Sequence, residues 1–86
     1  MAKTKKQEQE IAKLISFTDK FRVYFENFER KPLFGKFVRC GDHEELTQKG
    51  MVRFVSDSRV EEWDETGDET LTRILALIEI RSLLKF

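Results

Sequence analysis

Apolar positions change period along this chain, and each change predicts a different element. Over residues 4–18, Ile11, Leu14, Ile15 and Thr18 fall three and four apart, the spacing of one helical face. Thr4 followed by Gln7 fits a capping box, and Phe17 sits beside the stripe. The spacing predicts an N-terminal helix that lies on a surface, since its stripe is narrow. From Phe21 the period becomes two. Phe21, Val23 and Phe25 alternate with Arg22, Tyr24 and Glu26, as a half-buried strand requires. Asn27 to Lys31 is polar apart from Phe28, and Pro32 removes a backbone donor, so a turn belongs there. Leu33 to Arg39 reads as a second strand, with Gly35 marking a bend or a close backbone approach. Cys40 to Lys49 reads as a polar connection and Met51 to Val55 as a third strand. Ser56 to Ser58 is a bulge or turn, Val60 to Trp63 a fourth short strand, and Asp64 to Thr70 an acidic hairpin loop.

The segment from Leu71 to Phe86 admits two readings. Its residue types favour a helix on propensity. Wrapped on a helix, however, its apolar residues go all round, and Arg73, Glu79, Arg81 and Lys85 share no face. The favoured reading is a strand at Thr72 to Ala76, a single 3₁₀-type turn at Leu77 to Ile80, and a last strand at Arg81 to Phe86.

Length and composition narrow the class. Eighty-six residues suit one domain over residues 1–86, with a helix at 4–18 and the β part at 21–86. Hydrophobic residues at 40% and charged residues at 37% fit neither a disordered chain nor a membrane protein. No apolar run approaches the roughly 20 residues a membrane-spanning helix needs, and the N-terminus has no secretory apolar core. Cys40 is the only cysteine, which fits a reducing, cytoplasmic setting. Net charge is zero, yet residues 1–39 hold ten Lys/Arg and five Asp/Glu, and residues 40–86 hold six and eleven. This split of +5 and −5 suggests a basic and an acidic face, or attraction between copies; a patchy solvated surface accounts for it equally well.

The run Leu77-Ile78-Glu79-Ile80-Arg81-Ser82-Leu83 resembles the 3₁₀ turn linking the last two strands of SH3-like small barrels, and among them the Sm-like group. The helix over 4–18, the hairpin from Phe21 to Phe37 and the bend at Gly35 extend the likeness over most of the chain. The resemblance implies a small five-stranded SH3/Sm-like barrel with an N-terminal α-helix. It does not extend to that group's uridine pocket, whose Asp and Asn are replaced here by Gly41 and Leu46.

Candidate chemistry is sparse. Cys40, Asp42, His43, Glu44 and Glu45 are the only clustered metal-capable residues, and one Cys with one His falls short of a structural zinc set. Neighbouring carboxylates raise a thiol's pKa, which argues against a Cys–His nucleophile. Asp64 to Thr70 lacks the ligand order of a calcium loop. The four glycines are scattered, so no phosphate loop is present. No catalytic, metal or cofactor site is expected. Nucleic-acid binding has more physical content, because it needs cations for phosphates and aromatics for unstacked bases. Arg22, Tyr24, Phe34, Lys36, Arg39 and Arg53 are the candidate residues, with Arg30, Lys31 and Phe28 nearby and Lys3, Lys5 and Lys6 as a basic arm. Against it stand a sequence pI of about 6.6 and the alternative that these aromatics pack under the helix. Leu83, Leu84 and Phe86 are candidates for an oligomer interface along an open sheet edge. The expected function is a non-enzymatic binding module with RNA or DNA as partner; the alternative is a homo-oligomeric or adaptor module.

Overall fold

The computed structural model describes the backbone from Lys5 to Lys85 and side chains from Glu8 to Lys85. The Thr4–Gln7 capping box, the basic arm of Lys3, Lys5 and Lys6, and Phe86 therefore lie outside the described residues or side chains. Five strands, β1 (Lys20–Phe25), β2 (Leu33–Val38), β3 (Met51–Ser56), β4 (Thr72–Ala76) and β5 (Ile80–Lys85), form one antiparallel sheet. Its order is β4-β3-β2-β1-β5, so β4 and β5 are the two edges and the sheet is not closed. Three helices accompany it: α1 (Lys5–Leu14), α2 (His43–Gln48) and α3 (Val60–Thr66). Counting the 3₁₀ turns, helical residues are about as numerous as strand residues, so the fold is more mixed than a mainly β chain.

The alternation in β1 and β2 sets the inner face. Phe21, Val23, Phe25 and Phe37 are buried. They meet Val52, Phe54, Leu75, Ile80 and Leu83 from the other strands, and Ile11 of α1. Phe37 contacts Phe21 and Phe54 edge-on, with ring centroids 5.6 and 5.1 Å away, the geometry that ring quadrupoles favour. Gly35 sits on this inner face between Phe21 and Ser56. A Cβ there would press into the Val55 carbonyl oxygen, so the bend read from the sequence is a close backbone approach.

α1 is shorter than the 4–18 expectation. It ends at Leu14 because Ser16 folds into a local turn, its Oγ accepting from the Thr18 backbone N–H at 3.2 Å. The expected stripe holds in part: Ile11 is buried and Ile15 packs on the core, but Leu14 is 55% exposed. Three further expectations fail. Cys40–Lys49 contains α2, anchored by buried Leu46 and closed by Gly50 at φ 73°. Val60–Trp63 opens α3 rather than a strand. Val60 and Trp63, three apart, turn onto the outer side of the sheet against Val38 and Val55. Glu61 and Glu62 suit the helix start, and the N–H of left-handed Gly67 caps the Trp63 carbonyl at 2.8 Å. Asp64 to Thr70 is thus a helix end and a 3₁₀ turn, not a hairpin loop.

The C-terminal segment is strand, 3₁₀ turn (Leu77–Glu79), strand, and the single-helix reading is excluded. Leu77 turns inward at 7% exposure, and α1 packs on this turn and on β5. β5 carries a bulge against β1: Tyr24 pairs with Ser82 and Phe25 with Ile80, leaving Arg81 as the extra residue. No helix among the described residues is long and apolar enough to cross a membrane.

Candidate nucleic-acid interface

The outward positions of three adjacent strands build an exposed face rich in arginine and aromatic side chains. Antiparallel register places Leu84, Arg22 and Phe34 in one row across β5, β1 and β2. Tyr24 and Ser82 form the next row, and Lys20 and Lys36 lie at the far end. Phe34 is 44% exposed and Leu84 54%, so neither finishes a core. The Arg22 guanidinium carbon lies 5.0 Å from the Phe34 ring centroid, and its Nη1 donates to the Tyr24 hydroxyl at 3.3 Å. Arg22 Nε is buried and has no hydrogen-bond acceptor. The β5 bulge swings Arg81 over the Tyr24 ring at 5.8 Å and over Phe28 at 5.0 Å, which is how bulges commonly re-aim a side chain. Phe28, on the β1–β2 turn, is 82% exposed. Such a surface offers flat rings to unstacked bases and cations beside them for phosphates.

Lys36 and Arg39 lie at the other end of β2. With Phe17, Thr18, Val38 and Trp63 they line an open-sided cleft of about 410 Å³. The Arg39 guanidinium carbon sits 4.3 Å from the Phe17 centroid, and the Phe17 ring meets His43 edge-on at 5.3 Å.

Arg53 has a different job. Its Nε and Nη2 donate to the two Asp42 carboxylate oxygens at 3.0 and 2.7 Å, and its Nη1 donates to Thr72 Oγ1 at 2.7 Å. This bidentate clamp ties the start of α2 to β3 and β4. The Arg53 hydrogen bonds hold the Asp42 carboxyl below the usual carboxylate range. All three donor groups are committed, so Arg53 has little to offer a phosphate. Of the expected interface residues among those described, Leu83 is buried at 9% and belongs to the core, whereas Leu84 is exposed.

The Cys40 to Glu45 cluster is dispersed by the fold. Cys40 packs beside Val38, Val55 and Val60, and burial pushes its thiol pKa up, away from a reactive thiolate. Asp42 turns to Arg53 and His43 to Phe17. Among the described residues no three His, Cys, Asp or Glu side chains converge on a point that would hold a metal ion.

Phe17, Trp63 and Arg81 were absent from the sequence-derived set. Phe17 and Trp63 read as ordinary apolar residues of a helix and a strand, and nothing in the sequence marks the bulge that aims Arg81. Comparison with family models, curated proteins and solved structures finds no match for this chain.

Proposed function

We propose that this protein is a non-enzymatic binding module that holds single-stranded nucleic acid, RNA in particular, on the outer face of β1, β2 and β5. One observation carries the reading: three arginines of this surface, Arg22, Arg39 and Arg81, lie over aromatic rings and form no ion pair among the described residues. Cations spare for phosphates next to half-exposed rings are the two components of a sequence-tolerant single-strand platform. The near-neutral net charge is compatible with it, because the acidic residues concentrate in the C-terminal half, α3 included. The architecture that goes with this reading is the small SH3/Sm-like barrel. The strand order, the N-terminal helix and the 3₁₀ turn between β4 and β5 support it. A reducing, cytoplasmic setting accords with the single free thiol.

Fluorescence anisotropy with labelled single-stranded RNA and DNA tests the proposal. About three phosphate contacts give a slope of about −2 for log affinity against log salt on a single strand. Lys36→Glu and Arg39→Glu each weaken binding at low salt by about tenfold. Absence of binding at micromolar protein in low salt refutes it.

A second reading has its own observation. Among the described residues no further strand pairs with the sheet edges β4 and β5, and Leu84 is exposed on β5. An edge of this kind can add a neighbour's strand, and the opposite charges of the two halves favour a head-to-tail contact. Light scattering then shows a mass above the monomer that Leu84→Glu removes.

A further inference from the structure

The cleft between β2 and α3 brings two aromatic rings and two cations together. Phe17 comes from the connection after α1, Lys36 and Val38 from the outer side of β2, Arg39 from just beyond it, and Trp63 from α3. Both rings are half-buried and fixed from behind. Trp63 packs on the Val38, Val55 and Val60 cluster, and Phe17 packs on the main core and against the His43 ring. The space, about 410 Å³, falls in the roughly 300–1,000 Å³ range of small-ligand sites.

Charge pairing leaves both cations of the cleft open to an anion. Among the described residues, Lys20, Arg30, Lys49, Arg53, Arg59 and Lys85 each pair with a carboxylate. Lys36 and Arg39, the two cations of the cleft, pair with none. Arg39 instead lies on Phe17, which leaves its in-plane N–H groups free to donate. A planar ring with an attached anion fits both halves of this lining.

We infer that the cleft is a nucleotide subsite, with the base against Trp63 and the Phe17–Arg39 stack and one phosphate on Lys36 and Arg39. Glu62 and Asp64 flank Trp63 in sequence and weigh against a polyphosphate, so a monophosphate is the matching charge. That chemistry is supplied by a free nucleoside monophosphate or by one nucleotide of a single strand. The inference rests on the nucleic-acid reading for its biological ligand, although the cleft's chemistry stands without it.

Trp63 is the only tryptophan and reports the site directly. The full chain is titrated with AMP, UMP, ATP, adenosine and inorganic phosphate while Trp63 emission is followed. A labelled oligonucleotide is followed in parallel by anisotropy. AMP should quench saturably and more tightly than adenosine, phosphate or ATP. Lys36→Gln and Arg39→Gln should each weaken AMP binding by about tenfold, with thermal melts confirming that both variants fold. Competition of AMP by inorganic phosphate at equal concentration would reduce the cleft to an adventitious anion site and overturn the inference without recourse to any variant. Oligonucleotide binding that leaves Trp63 emission unmoved overturns the subsite but spares the proposed function. AMP quenching in a chain that binds no oligonucleotide upholds the subsite and removes the proposed function.

Discussion

Replacing Gly35 by alanine adds one methyl group at the tightest point of the sheet. Gly35 is buried on the inner face of β2, and its backbone angles are ordinary, so no left-handed strain enters. The obstacle is space. The new Cβ would press into the Val55 carbonyl oxygen and lie 3.0 Å from both the Asp57 amide nitrogen and Phe54 Cζ. The phenyl ring can yield by rotating, but the two backbone atoms cannot. Val55 sits within the ladder, opposite Lys36 and Thr72, so moving its carbonyl disturbs β2, β3 and β4 together. Overpacking of a tight core costs about 1–3 kcal/mol, and a clash with backbone belongs at the upper end. Alanine also reduces unfolded-chain entropy, which returns about 0.4–1 kcal/mol. The net expectation is a loss of about 2 kcal/mol, or roughly 8–16 °C in Tm for a domain of this size. Gly41→Ala is the matched control. It is exposed, has nothing within 4 Å of its Cβ position, and has no positive φ; its stability should change by less than about 0.5 kcal/mol or rise slightly. Urea denaturation followed by far-UV circular dichroism measures both. Equal midpoints for the two variants would refute the close-approach argument and, with it, the register of β2 against β3.

Phe37→Ala removes the ring at the centre of the edge-on trio with Phe21 and Phe54; truncation of a fully buried phenylalanine costs about 3–5 kcal/mol, and chemical denaturation should show a loss of that size. Asp42→Asn tests the Arg53 clamp through pH. The folded-state pKa of Asp42 is lowered, so its contribution to stability is complete above the unfolded carboxylate value, about 3.9, and is lost as pH falls through the lower folded value. The variant should be less stable than the parent at pH 6–7, and the gap should narrow below about pH 4; a constant gap in Tm across that range would show that the carboxylate's charge is not what matters.

Which elements are readable in a sequence depends on how many apolar positions each one commits to a face. β1 commits three in strict alternation, so its inward set follows from parity alone. The C-terminal segment is legible by elimination: no helical face accommodates Arg73, Glu79, Arg81 and Lys85 together, and splitting at Leu77 restores both strands. α2 commits only Leu46, and one residue has no period. α3 commits Val60 and Trp63. Their spacing of three is a helical signal and not a strand signal, and Gly67 follows at the position of a left-handed cap; seven residues are too few for the pattern to repeat. Closure of the sheet is unreadable for another reason. It depends on how strongly five strands bend and twist together, which no local pattern encodes.

The candidate surface divides along the same line. Arg22, Tyr24 and Phe34 were placed together by strand parity, because outward positions of paired antiparallel strands must share a face, and the register confirms that placement. Lys36 and Arg39 are legible as cations, but the rings that share their cleft, Phe17 and Trp63, come from elements 19 to 27 residues away in sequence. Arg53 shows why a count of cations is a poor guide. In sequence it is one basic residue among sixteen; in the fold, Asp42 and Thr72 take its donors. A phosphate pays no cost of breaking an ion pair where none exists, so the useful quantity is which cations lack a carboxylate. Among the described residues of this face those are Arg22, Lys36, Arg39 and Arg81; the three arginines lie over aromatic rings, and Lys36 lines a cleft with Phe17 and Trp63. The aromatic ring gives the guanidinium a resting place without neutralising it, which keeps both available to a ligand carrying a base and a phosphate together.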